Sequence, residues 1–169
     1  PELVDQLSVY ATLTLFPLTI LAGWLSDKIG RKPVVVSGLF LGAIFILPTF
    51  QLLKTIGIEY LNTPTHTLNL ILIGMLLTCL SLALALVVGP QTAMLAELFP
   101  AKTRNSAATL PHNLAAGWIG GLLPFIVTWL NQRWQSDSAG LWYPTLFLAS
   151  AAVIAFMYLP ETRKTNLHL

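Results

Sequence analysis

From residue 60 to residue 96 the chain runs for thirty-seven residues without an aspartate, glutamate, lysine or arginine. A spanning helix needs only about 20 apolar residues to cross a hydrocarbon core of about 30 Å. A soluble fold has no place for an uncharged run of this length. The rest of the chain repeats the pattern: Asp5 and Asp27 bracket the uncharged residues 6–26, and further apolar blocks occupy 33–53, 68–98, 105–130 and 141–159. Only 9% of the residues are charged, nine Lys and Arg against seven Asp and Glu, too few to cover a water-facing surface. Nucleic-acid binding is excluded on the same ground, because it needs clustered basic surface and a net charge of +2 is here dispersed between apolar blocks.

Backbone inside hydrocarbon must satisfy its own hydrogen bonds, which leaves helices or a closed barrel. Barrel strands are about 10 residues long, far shorter than these blocks, so the expected fold is an all-α, polytopic membrane protein with five transmembrane helices. Within the longest run, Asn62-Thr63-Pro64-Thr65-His66 has turn composition and is read as a loop. That leaves one long third helix, expected to bend at Gly89-Pro90. Lys and Arg set the orientation: Lys28, Arg31, Lys32, Lys102, Arg104, Arg163 and Lys164 fall on one side, and Lys54 and Arg133 on the other. The side that holds the C-terminus is therefore expected to be cytoplasmic, with Pro1 outside. A chain that opens on Pro1 at an external position reads as a piece of a longer one. Cys79 is the single cysteine, which excludes an intrachain disulfide.

Small residues one turn apart, Gly38 with Gly42 and Gly117 with Gly121, would allow close helix approach. The five tryptophans, at 24, 118, 129, 134 and 142, fall mostly near span ends as an aromatic belt would. Trp118 alone lies deep, suited to core packing or lipid contact more than to a ligand platform.

The first connection on the basic side reads Gly23-Trp24-Leu25-Ser26-Asp27-Lys28-Ile29-Gly30-Arg31-Lys32-Pro33. Gly23 permits close approach, Asp27 can cap a helix N-terminus or pair with Arg31 and Lys32, Gly30 permits a tight reversal, and Pro33 suits the first turn of a helix. A basic, glycine-bearing loop is common in membrane proteins, but positive-inside selection does not account for the acid at Asp27. The string resembles the loop signature of the major facilitator superfamily, G-x-L-x-D-x-x-G-R-K, at every specified position. Downstream, Glu97-Leu98-Phe99-Pro100 followed by Arg104 resembles the connection between the tenth and eleventh spans of that superfamily. Leu159-Pro160-Glu161-Thr162-Arg163 resembles the end of its twelfth span.

The resemblance implies a twelve-span fold in two six-helix halves, of which the five spans here would be the eighth to the twelfth. The seventh span and the amino-terminal half would lie outside this chain. The stretch from Gly89 to Pro100, with Arg104-Asn105-Ser106 and then His112-Asn113, is most similar to bacterial metabolite:proton symporters of the proline/betaine, 2-oxoglutarate and shikimate type. The sugar-porter branch also carries an acid-to-Arg pair at this loop and stays open as an alternative. What the resemblance implies is secondary transport of a small organic solute with protons by alternating access, in the cell inner membrane, with no cofactor and no enzymatic reaction. The partners are the solute, protons, the lipid bilayer and the missing half. A noncatalytic helical scaffold or channel subunit is the reading from a different class, and it has no use for the Gly23–Lys32 signature.

By the same resemblance, Gly23, Asp27, Gly30, Arg31, Lys32, Glu97 and Arg104 are candidates for the conformational gate, as ion pairs that hold one state closed. These charges could equally be solvated groups that only set the topology. Inside the spans, His112 is the one histidine, a residue type suited to proton exchange, about 12 Å along the helix from Arg104. It is either a neutral histidine bonded to a neighbouring helix or part of a proton or substrate path. Gln91, Thr92 and Asn113 either line that path or join helices. His66, His112 and His168 have no metal-ligand spacing.

Overall fold

The computed structural model of the protein describes residues 2–62, 67–99 and 104–162. Its helices are α1 (Glu2–Ile29), α2 (Arg31–Asn62), α3 (Thr67–Leu98), α4 (Arg104–Leu114), α5 (Gly121–Trp134) and α6 (Trp142–Tyr158). A π-helical segment, Ala115–Gly120, joins α4 to α5, and a short 3-10 turn, Ala139–Leu141, precedes α6. No strand occurs among the described residues. Five segments are long and apolar enough to cross a membrane: Val9–Ile29, Arg31–Ile58, Asn69–Leu98, Thr109–Trp134 and Ala139–Tyr158.

The helices outrun the apolar blocks. Charge bounds the part of a helix that can lie in hydrocarbon, not the helix itself, so α2 continues past Lys54 and Glu59 to Asn62. The third block is one helix through Gly89 and Pro90, with Pro90 fully buried. Residues 63–66, read as a loop, lie outside the described residues.

α1, α2, α3 and α6 pack together, with α3 against both α1 and α2, and α6 against α2. The core joins Ala22 of α1, Val34 of α2, and Ala85 and Leu86 of α3, with Leu15, Leu18, Leu25 and Leu41 around them. The spacing of 15, 18, 22 and 25 is one face of a helix. Its opposite face carries Leu13, Phe16, Ile20 and Trp24, all exposed within this chain. Small residues set the helix separations. A Cβ on Gly38 would lie 2.8 Å from Leu86 Cβ and 3.0 Å from the Ala83 carbonyl, so only glycine lets α2 approach α3 this closely.

The fourth span is different. Every residue from 109 to 122 is exposed, and α4, the π-helical segment and α5 meet their neighbours only toward the ends of the span. Gly117, paired with Gly121 by spacing, faces open space, and Trp118 is exposed, so the close approach open to that pair is not made within this chain. At the α5 end, Gln135 takes the left-handed conformation with φ 48° and ends the helix, while Gly140 N–H donates to Asn131 Oδ1 at 2.6 Å. Across that end Lys54 pairs with Asp137, and the ammonium holds the Asp137 carboxyl below the usual carboxylate range.

Candidate functional site

One end of the bundle collects the charges. α1 stops and α2 starts on either side of a single residue, Gly30, whose N–H donates to the Ser26 carbonyl at 3.0 Å. Its φ of +119° is a conformation that side chains rarely adopt. A Cβ there would also lie 2.5 Å from Glu161 Oε2. The reversal aims Arg31 back between the helix ends.

The Arg31 guanidinium is 10% exposed and directs its fork at three side chains. Nη2 donates to Glu97 Oε1 at 3.0 Å and Nε to Glu97 Oε2 at 3.3 Å. Nη1 donates to Ser26 Oγ at 2.7 Å and lies 2.5 Å from Asp27 Oδ1. Ser26, fully buried, passes its own proton to the Gly23 carbonyl at 2.7 Å. Glu97 takes a third bond, from Thr162 Oγ1 at 2.6 Å. Two-pronged contact between guanidinium and carboxylate is strong and directional.

The start of α2 is capped from the far end of the chain. Glu161 Oε1 accepts from Arg31 N–H at 2.9 Å, and Oε2 accepts from Lys32 N–H at 3.2 Å. These are the amides that a helix N-terminus leaves unpaired, and a carboxylate there also meets the positive end of the helix dipole. The cap is Glu161, where the sequence had offered Asp27; Asp27 instead binds the Arg31 side chain and stays 61% exposed. Four helix ends thus meet in one cluster: α1 through Ser26 and Asp27, α2 through Arg31, α3 through Glu97, and the residues after α6 through Glu161 and Thr162.

Lys32 leaves the cluster, its ammonium 5.9 Å from the ring centroid of Phe156, and Lys28 lies 3.8 Å over Trp24. Gly23 sits where α1 meets α3, since a Cβ on Gly89 would come within 2.9 Å of Gly23 N. Arg104 opens α4, and its side chain lies outside the described residues. Of the path candidates, the structure brings two together: Gln91 Nε2 and His112 Nδ1 are 3.4 Å apart across α3 and α4. Thr92 is exposed on α3, and Asn113 lines an open groove of about 680 Å³ with Leu110, Leu114, Gly117, Trp118 and Leu122. Reading the sequence missed Ser26, Glu161 and Thr162 as members of the cluster. The tail string was the available signal, but nothing in it says which helix it folds back on.

The sequence profile of the Major Facilitator Superfamily matches residues 3–168, nearly the whole chain. The chain belongs to the major facilitator superfamily. Among its superfamily relatives, the inner membrane metabolite transport protein YhjE of Escherichia coli (strain K12) is 30% identical over 86% of this chain and 30% of its own length. The ectoine/proline transporter ProP of Corynebacterium glutamicum is 26% identical over 86% of this chain and 26% of its own. The shikimate transporter of Escherichia coli (strain K12) is 27% identical, over 78% and 28%. The chain therefore spans less than a third of the length of these relatives. No solved structure matches. Within the superfamily, the strings Gly23–Lys32 and Glu97–Arg104 are the ones that resemble its signatures, and they carry Arg31 and Glu97, which meet here.

Proposed function

We propose that this chain is part of a secondary carrier that moves a small organic solute across the cell inner membrane by alternating access, in symport with protons. The carboxyl end is cytoplasmic. The observation that carries this reading is the superfamily match over residues 3–168. The names of the relatives, transporters of metabolites, ectoine/proline and shikimate, favour a small polar or zwitterionic organic solute. The five spans act as the eighth to the twelfth, with the remaining spans on the same polypeptide. Carriers of this kind bind solute near the bilayer midplane between two repeats, so the other half supplies part of the site. Gln91 and His112, with Thr92 and Asn113 beside them, face that path.

Within this reading the charged cluster has two roles. Arg31, Glu97 and Thr162 tie four helix ends of the same half together, so those ends move as one body. Asp27 projects from that brace, 61% exposed, and is the group that the other half meets when the cytoplasmic side closes. A lone exposed ion pair contributes only about 0–1 kcal/mol, but Asp27 is bonded to the mostly covered Arg31 guanidinium, and charged hydrogen bonds of that kind contribute about 1–2 kcal/mol, enough to bias two nearly balanced states.

The test is uptake into proteoliposomes holding the purified full-length carrier, with radiolabelled proline, betaine, ectoine, shikimate and 2-oxoglutarate, with and without an inward proton gradient. At least one solute should accumulate above protein-free vesicles, and a protonophore should abolish that accumulation. No accumulation of any of the five overturns the assignment to this solute class. Uptake indifferent to the gradient overturns symport.

A further inference from the structure

We propose that the fourth span is two helices joined by a pivot, in which α4 swings about the π-helical segment Ala115–Gly120 while α5 stays latched. The register change is the first support. The N–H of Gly121 donates to the carbonyl of Ala116, five residues back, so one residue more than an α-helix accommodates is packed into this turn. Such insertions interrupt the regular hydrogen-bond ladder and are a known cause of helix bends.

The residues are the second support. Gly117, Gly120 and Gly121 fall in or beside the segment, yet among the described residues of this chain no neighbour requires glycine there. A Cβ on Gly117 would meet nothing within 4 Å, and on Gly120 or Gly121 only a carbonyl of the same turn at 4.0 Å. What glycine supplies at such positions is backbone freedom. Pro111 and Pro124 each remove a backbone donor on either side, which isolates the softened stretch.

The third support is unequal anchoring. Beyond the segment, α5 is fastened by the bond from Gly140 N–H to Asn131 Oδ1 at 2.6 Å and by Gly140, buried, against the backbone of Val127. Before it, among the described residues, α4 meets α3 through the longer Gln91–His112 contact of 3.4 Å. Gly117 is thirteen residues from Arg104 and seventeen from Trp134, roughly 20 and 25 Å along the helix, which puts the pivot near the middle of a bilayer of about 30 Å. A swing of α4 about that point carries His112 and Asn113 while leaving the outer latch unchanged.

That the swing serves the access cycle rests on the carrier reading; the pivot itself does not, and the experiment separates the two. Spin labels at Leu110 and Phe125, 70% and 69% exposed, report distances across the segment in the full-length, cysteine-free carrier in lipid. Labels at Met75 and Val88 on α3 give the width of an uninterrupted helix. The Leu110–Phe125 distribution should be broader than the α3 control. The triple variant Gly117→Ala/Gly120→Ala/Gly121→Ala should narrow it to the control width and lower uptake per folded carrier by about five-fold or more. A parent distribution as narrow as the control, or a width unchanged by the three alanines, overturns the pivot. Narrowing with normal uptake overturns its part in the cycle. If the triple variant does not fold, Pro111→Ala with Pro124→Ala is read by the same labels: narrowing upholds the pivot and an unchanged width overturns it. A parent that takes up none of the solutes counts against the carrier reading alone, and the distances still judge the pivot.

Discussion

The Arg31 guanidinium makes four close contacts, to Glu97 twice, Ser26 and Asp27, from a position where it is 10% exposed. A lysine ammonium has neither the plane nor the reach to reproduce that fork. Arg31→Lys should therefore lower the stability of the purified carrier by about 2–3 kcal/mol, the worth of charged hydrogen bonds lost while Glu97 stays mostly covered. Denaturation of variant and parent in the same detergent checks this, and equal midpoints would contradict it. Part of this site was legible in the sequence. Gly30, Asp27 and Arg31 lie in one short string, and a glycine between two apolar blocks invites a reversal. Glu161 was not legible as the cap of α2, because its partners lie 129 and 130 residues away and any exposed carboxylate could have served.

Helix α3 passes α1 and α2 at distances that glycine sets. Gly38→Ala would push a methyl group to 2.8 Å from Leu86 Cβ, against backbone that cannot give way. Overpacking of this kind costs about 1–3 kcal/mol. The thermal midpoint of Gly38→Ala should fall, while that of Gly57→Ala, where a Cβ meets nothing within 4 Å, should not; equal shifts in both would contradict the packing described here. The spacing of Gly38 and Gly42 made a close approach readable, but Gly117 and Gly121 have the same spacing and face open space. Helices that are apolar on every side carry no stripe to mark which face packs, so spacing alone cannot separate the two cases. The π-helical segment was hidden for a related reason: Ala115-Ala116-Gly117-Trp118-Ile119-Gly120 reads as ordinary apolar helix, and a one-residue change of register leaves no trace in composition.

For the molecule as a whole, the number of spanning helices was legible because charge is costly in hydrocarbon, and sixteen charges leave little freedom in where the apolar blocks begin and end. The way those helices assemble was not, since it depends on contacts made far apart in sequence. The proposed orientation rests on the basic residues gathered near Lys28 and Lys102. Single cysteines at Lys28 and Lys102, with Cys79 replaced, should react with an impermeant reagent from the cytoplasmic side only, and one at Arg133 from outside only. The reverse pattern would invert the topology. In the proposed carrier the charged end of the bundle is a brace with one exposed acid, and this division of roles can be read in a single comparison. Asp27→Asn removes a charge from an exposed carboxylate while Arg31 keeps Glu97 and Ser26, so the folded amount and the denaturation midpoint should stay near the parent values. Its effect should fall on the balance of states, where losing about 1–2 kcal/mol changes populations by roughly 5–30-fold. The decisive measurement is the initial rate of solute uptake per folded carrier in proteoliposomes, Asp27→Asn against parent. A rate reduced about 5-fold or more at unchanged stability is the predicted result, and parental uptake in the variant would contradict the gating role of this site.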